Sequence, residues 1–251
     1  MWLDESADVD IKYTKETHMI GKLLRKILTP SPKGLIELYG LQDWYQSLAA
    51  ETRVKIKTYY TLGTQGNSDE VDIVHPNTLV IKHRGSQRFL GVIGLAAMKD
   101  DPLFAELILL KALNETDGSV SSTHMVLEGL SSLLYQQQST RIDASELCIK
   151  YCLQDIECIE SSKDIYIEAH GLDNFILFSG ETSFDRLRKI YVQQRKYSEA
   201  IAIVNRALTV AALDADQATV LVQELSKKRV SEHRRKQRNA SWGTEFSRPL
   251  K

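Results

Sequence analysis

The sequence has few of the residues that interrupt helices: 13 glycines and 5 prolines in 251 residues. That scarcity argues against a loop-rich all-β fold and favours helices. Cysteine is scarcer. Cys148, Cys152 and Cys158 are the only three, crowded within eleven residues, whereas disulfide scaffolds use an even and dispersed set. A reducing, cytoplasmic location is therefore expected. Long apolar runs are missing. Phe89 to Met98 is the longest, about half of the roughly 20 residues a membrane span needs, so no membrane partner is expected. Residues 1–10 are acidic and hold no apolar stretch, so no signal peptide is expected. Excess charge of one sign is absent too, with a net charge of −1 and a pI near 6.6. Wholesale attraction to nucleic acid or membrane is therefore not indicated by the average charge. What is present, 43% hydrophobic and 26% charged residues, suits an ordinary soluble globular chain with enough length for a real core.

Signatures of chemistry are equally thin. No G-x-S-x-G elbow, P-loop, G-x-G-x-x-G or HExxH occurs. The six histidines (His18, His75, His83, His124, His170, His233) stand beside no convincing nucleophile. Cys148 and Cys152 share a helical face, and with Cys158, His124 or His170 they could hold zinc. Structural zinc sites favour cysteine pairs set in a turn, however, and buried free cysteine packs like a small hydrophobe, which is the reading preferred here. Asp69, Glu70 and Asp72 lack the ligand period of a calcium loop. No enzyme activity, metal or cofactor is expected.

Four regions follow from pattern. Residues 1–14 form a polar leader. Residues 15–76 form an N-terminal helical unit and loop. In it Ile20, Leu23, Leu24, Ile27 and Leu28 recur at helical spacing before Pro30. Leu38, Leu41, Trp44, Tyr45 and Leu48 line one face of the stretch 35–62. Residues 77–226 read as helical hairpins: one from Ser86 onward, with Phe89, Val92, Ile93 and Ala96 on one face, paired through a turn at 99–102 with 103–113, then 123–137 with 144–156, and 183–194 with 198–213, followed by a last amphipathic helix over 214–235. Pro102 suits the first turn of its helix, where a missing N–H costs nothing. Asp164 to Glu168 alternates like a strand, and Asn174 to Phe178 is a short apolar run. That stretch is expected to be an irregular connector, with a small strand pair as the alternative. Residues 227–251 form a basic tail expected to be disordered.

The hairpins carry an internal repeat. Aligning Lys99–Leu113 with Gln194–Leu208 pairs Ala105 with Ala200 and Ala112 with Ala207. Phe89 and Phe184 each stand sixteen residues before the first alanine of the pair. Small residues at those places let two antiparallel helices approach closely, while Phe89, Phe184, Leu187 and Tyr191 fill the space between units. This pattern resembles the tetratricopeptide repeat (TPR), a helix-turn-helix unit of about 34 residues, over roughly 86–213. It departs from that pattern where Ile93 and Arg188 occupy a small position and Pro102 replaces a turn aromatic. The anchors Ala105, Ser145 and Ala200 are spaced by 40 and 55 residues rather than evenly. The resemblance implies an all-α fold. Its hairpins would stack as a TPR-like solenoid between the N-terminal helical unit and a C-terminal capping helix.

In the TPR family the concave face binds peptides or partner proteins. Carried over by position, the resemblance places Gln87, Leu90 and Met98 of the first unit, and Asp185, Lys189 and Gln193 of the third, on that face. The expected function is a non-enzymatic scaffold or regulator for a protein or peptide partner. The alternative lies in the tail. Residues 227–251 hold nine Lys or Arg against two Glu, a charge of +7, so the remainder carries −8 within the whole-chain −1. Lys227, Lys228, Arg229, Arg234, Arg235, Lys236 and Arg238 would there contact nucleic acid by counterion release, with Trp242 and Phe246 available for stacking.

Overall fold

The computed structural model describes residues 34–64, 85–179 and 182–245, and every element among them is a helix, as an all-α fold requires. The expected helix at 15–28, His18, His75, His83, the acidic loop at 69–72 and Phe246 lie outside the described residues. Two compact units are distinguished, residues 1–49 with 67–81, and residues 50–66 with 82–251.

In the first unit, α1 (Leu35–Leu38) and α2 (Gln42–Ser47) are joined through Gly40. Leu35, Ile36 and Leu41 are buried, whereas Leu38 is exposed. Trp44, Tyr45 and Leu48 are half-buried.

The second unit begins with α3 (Ala50–Gly63). The sequence groups this helix with the residues before it, but α3 packs on the hairpins that follow. Ile56 and Tyr60 are buried, Tyr60 lies 5.2 Å from the Phe89 ring, and Tyr59 stacks on Phe104 at 5.4 Å. The first hairpin joins α4 (Ser86–Ala97) to α5 (Pro102–Leu113). Its turn is well specified. Asp101 caps α5 by accepting from the Phe104 N–H at 3.1 Å, Pro102 takes the first turn, and Lys55 of α3 reaches the same carboxylate at 2.8 Å. The second hairpin joins α6 (Val120–Gln136) to α7 (Ala144–His170), and the short α8 (Leu172–Ser179) folds back on α7. The third joins α9 (Thr182–Gln193) to α10 (Tyr197–Thr209), and α11 (Ala215–Glu245) lies along α10. Within each hairpin the two helices pack together. The leading helices also pack on one another, α4 on α6 and α6 on α9, and each second helix packs on the next leading helix, α5 on α6 and α7 on α9.

Close approach at the first crossing depends on glycine. A Cβ at Gly94 of α4 would stand 2.6 Å from Leu109 Cγ of α5, and one at Gly129 of α6 would stand 3.3 Å from Leu109 Cδ1. Leu109, fully buried, thus fills a slot bounded by bare backbone on two neighbouring helices. The alanines singled out in the repeat serve the same end: Ala105, Ala112 and Ala200 are fully buried and Ala207 nearly so. Ile93 is also buried, one residue from Gly94, which does the work expected of the small position there. Arg188 turns its guanidinium to Asp185.

Two stretches differ from expectation. Over the described residues 163–179 the connector is neither irregular nor a strand pair. α7 continues unbroken to His170, and α8 follows after Gly171. Alternation over five residues is too short to separate strand from helix. The longer helical period is carried by Ile159, Tyr166 and His170, with Tyr166 stacked on Phe178 of α8 at 4.5 Å. The last helix also runs through residues where a disordered tail is expected, to Glu245. No glycine or proline interrupts 215–242, and its Ala, Leu, Gln, Glu, Lys and Arg are good helix formers. Two helix ends are made without glycine. Arg195 and Ala211 adopt φ of 59° on either side of α10, and the next N–H in each case closes back on the preceding helix, Lys196 to Tyr191 O and Ala212 to Ala207 O.

Gly94→Ala is expected to destabilise the protein by about 1–3 kcal/mol, because the branch point of a buried leucine cannot swing clear. Gly91→Ala meets chiefly the flexible end of Met125 and is expected to cost less than about 1 kcal/mol. Urea denaturation of both variants checks the contrast, and equal losses would refute it.

Candidate functional site

The residues assigned to a partner face divide sharply. Gln87 and Leu90 are corrected: both are buried, at 3% and 0% exposure. Helix α4 is covered by α3, α5 and α6, so its circumference is largely enclosed. Gln87 Oε1 instead accepts hydrogen bonds from Ser122 Oγ (2.9 Å) and Thr123 Oγ1 (3.0 Å) of α6. The start of α4 is held by a carboxylate from a distant loop. Asp117 accepts from the Ser86 N–H at 2.6 Å, the Gln87 N–H at 3.2 Å and the Ser86 hydroxyl at 2.7 Å. Gly85 is required just before it, with φ of 94° and Asp117 atoms 2.9 Å from where a Cβ would sit. Burial works against the charge of Asp117, but the hydrogen bonds from Ser86 and Gln87 outweigh it and hold its carboxyl below the usual carboxylate range.

Met98 remains accessible. It lines a cleft of about 340 Å³ with Lys99, Pro102, Leu133, Gln136 and Gln137. Lys99, Pro102 and Gln136 are exposed. The lining combines apolar surface with side-chain amides and one cation, a set that can take an apolar side chain and hydrogen-bond a backbone. Leu133, Gln136 and Gln137 come from α6 and its end, so their meeting with Met98 was not visible in sequence order. On α9, Lys189 and Gln193 are exposed and Asp185 is half-buried. Asp185 pairs with Lys189 at 2.5 Å and with Arg188. Those bonds overcome the effect of burial and keep its carboxyl below the ordinary value. Asp185 also lines a cavity of about 30 Å³ with Phe184, Ile203 and Leu221, room for a water rather than a ligand.

A polar cluster that sequence reasoning missed joins three helices. Asp155 of α7 is fully buried. Its two carboxylate oxygens are taken by His124 Nδ1 of α6 at 2.7 Å and by the Ser183 hydroxyl of α9 at 2.6 Å. Phe178 of α8 covers the His124 ring at 4.6 Å. The serine donates to the carboxylate and not to the imidazole, so the order needed for a serine nucleophile is not made. The arrangement holds helices. The one signal in sequence was an acid, Asp155, at a position of α7 whose neighbours one turn away, Cys152 and Ile159, are apolar.

Cys148 and Cys152 are fully buried, unbridged, with sulfurs 4.0 Å apart, and Cys148 donates to the Ser131 carbonyl. The neighbouring thiol and burial push Cys152 up. Burial and the nearby Asp155 push the Cys158 thiol up to about 11, which leaves it protonated and unreactive at neutral pH. His124 is committed to Asp155, and the His170 ring packs tilted against Tyr166 at 4.6 Å. Among the described residues no three metal-ligating side chains converge.

The basic residues Lys227, Lys228, Arg229, Arg234, Arg235, Lys236 and Arg238 are all exposed, and all stand on helix α11. No described helix is long and apolar enough to cross a membrane.

These features define an all-helical hairpin protein. The chain is 30% identical over 158 residues to an uncharacterized protein of Aquifex aeolicus (strain VF5), across 58% of this chain and 70% of that one. It belongs to the family of that protein. No family model matches the chain, and no solved structure matches it.

Removing either donor strands one oxygen of a buried carboxylate, so His124→Ala and Ser183→Ala are each expected to cost about 2–3 kcal/mol. Urea denaturation checks both, and a loss below about 0.5 kcal/mol for either would refute the assignment. Asp117 predicts a pH effect. Its folded-state pKa lies below the unfolded value of about 3.9, so its stabilisation is fully present above that pH and is lost as pH falls through the depressed value. The stability of wild type and Asp117→Asn should therefore differ at neutral pH and converge in acid, as followed by thermal melts across pH.

Proposed function

We propose that the hairpin region is a TPR-like array that acts as a non-enzymatic scaffold or regulator, holding a segment of a protein partner. Supporting this reading, each leading helix packs on the next leading helix and each second helix on the following hairpin, the arrangement by which helical repeats build an extended binding face. Buried Ala105, Ala112, Ala200 and Ala207, with Phe89, Phe184 and Leu187 between units, fit the repeat pattern. α11 covers the last hairpin through Ala218 and Leu225, packed with Ala200 and Val204, as a terminal cap does.

The observation that carries a binding role is the Met98 cleft, where Leu133 and Pro102 offer an apolar floor and Gln136 and Gln137 offer amides. Lys189 and Gln193 would extend the contact surface along α9. The three unbridged cysteines suit a reducing cytoplasm, where we place the protein.

Capture of partners by the tagged full-length protein from lysate of its source, with nuclease present, tests the reading. A protein partner retained by wild type should bind roughly tenfold more weakly to the double variant Met98→Ala/Gln136→Ala. Equal retention by the variant would sink the assignment of the cleft.

A further inference from the structure

Helix α11 changes character along its length. Up to Leu225 it is anchored, with Ala218 and Leu225 buried against α10. Between Lys227 and Arg238 it carries seven Lys or Arg and a single carboxylate, Glu232. That carboxylate is already engaged, by Arg235 at 2.8 Å and by Arg195 of the α9–α10 turn at 3.5 Å. The pairing to Arg195 links the basic segment to the third hairpin. The seven cations are exposed. At 100° per residue, Lys227, Arg234 and Arg238 lie opposite Leu225 and Lys228 and Arg235 on the adjoining flank, whereas Arg229 and Lys236 lie within about 40° of Leu225. The charge is spread over about 17 Å of helix, at a rise near 1.5 Å per residue.

Chemistry narrows the occupant. A membrane surface binds helices through an apolar face, and Val230 is the only large apolar residue of the segment. Single strands are bound through stacking on successive aromatic rings, and the sequence of α11 holds only one Phe, Tyr or Trp, Trp242. Duplex RNA has a major groove too narrow for side-chain entry. The major groove of B-form DNA admits a helix, and its phosphates reward a dense row of cations by counterion release. The rest of the chain carries −8 against the +7 of residues 227–251, so net positive charge is concentrated at this end of the chain.

We propose that the exposed segment Lys227–Arg238 of α11 is a docking surface for double-stranded DNA, gripping phosphates without reading base sequence.

The test is fluorescence anisotropy of the full-length protein with a short labelled DNA duplex across a salt series. Duplex RNA of the same sequence, vesicles rich in phosphatidylserine and polyglutamate serve as parallel probes. The variant is Lys227→Gln/Lys228→Gln/Arg234→Gln. All three positions are exposed, and its circular dichroism and melting temperature should match wild type. Wild type should bind the DNA with salt-sensitive affinity. The variant should bind at least roughly tenfold more weakly, with a plot of log affinity against log salt shallower by about 2–3. No binding to DNA at about 50 mM salt, unchanged binding by a folded variant, or tighter binding to RNA, vesicles or polyglutamate would each overturn the proposal.

Discussion

Leu109 is the point around which the first hairpin and the start of the second are arranged. Its side chain occupies the space where Gly94 lacks a Cβ, and a Cβ at Gly129 would stand 3.3 Å from it and 2.7 Å from Leu95. Three helices can then approach at backbone distance, and the larger residues around them, Phe89, Ile93, Ile108 and Leu130, close over with no exposed surface. Protein interiors are packed as densely as organic crystals, so a position of this kind transmits its shape to each neighbour. The scarcity of glycine in the chain makes its placement here more telling, since glycine inside a helix carries a cost in chain entropy.

Polar contacts determine which helices meet and in what register. Asp117 holds the start of α4 from a loop beyond α5, and Asp155 joins α6, α7 and α9. Arg186 of α9 reaches Glu128 at 2.7 Å and Ser131 at 3.0 Å on α6, and Arg206 of α10 forms a two-pronged pair with Glu160 of α7 at 2.7 and 2.6 Å. Apolar surfaces attract without direction. A buried carboxylate, by contrast, tolerates one arrangement of donors, because a slip of one turn would leave it unpaired.

Much of the fold was legible because helices announce themselves locally. Asp101 and Pro102 mark the entry to α5, and Ser119 caps α6 by accepting from the Ser122 N–H at 3.2 Å. The end of α7 was not legible, since Ile165 and Ile167 alternate over a window too short to fix the period. The helix shows itself only through Tyr166, His170 and the aromatic residues that α8 brings back to them. Gln87 and Leu90 were misplaced for another reason. A family pattern says which residues of a repeating helix face a ligand, but α4 is covered by α3 as well as by its own hairpin. The Met98 cleft was half legible: Met98 and Pro102 lie close in sequence, whereas Leu133, Gln136 and Gln137 arrive by tertiary packing alone.

The turns on either side of α10 bear on how this chain can change. Arg195 and Ala211 hold a backbone conformation that costs a residue with a side chain roughly 1 kcal/mol or more. Natural sequences settle where further loss of stability would be selected against, not at their optimum. These two positions are places where the chain has kept strain in reserve. A drifting sequence could relax there to offset a costly substitution elsewhere, such as one that reshapes the Met98 cleft or the exposed length of α11. The third hairpin thus holds latitude for adaptation that the glycine-bounded first crossing lacks.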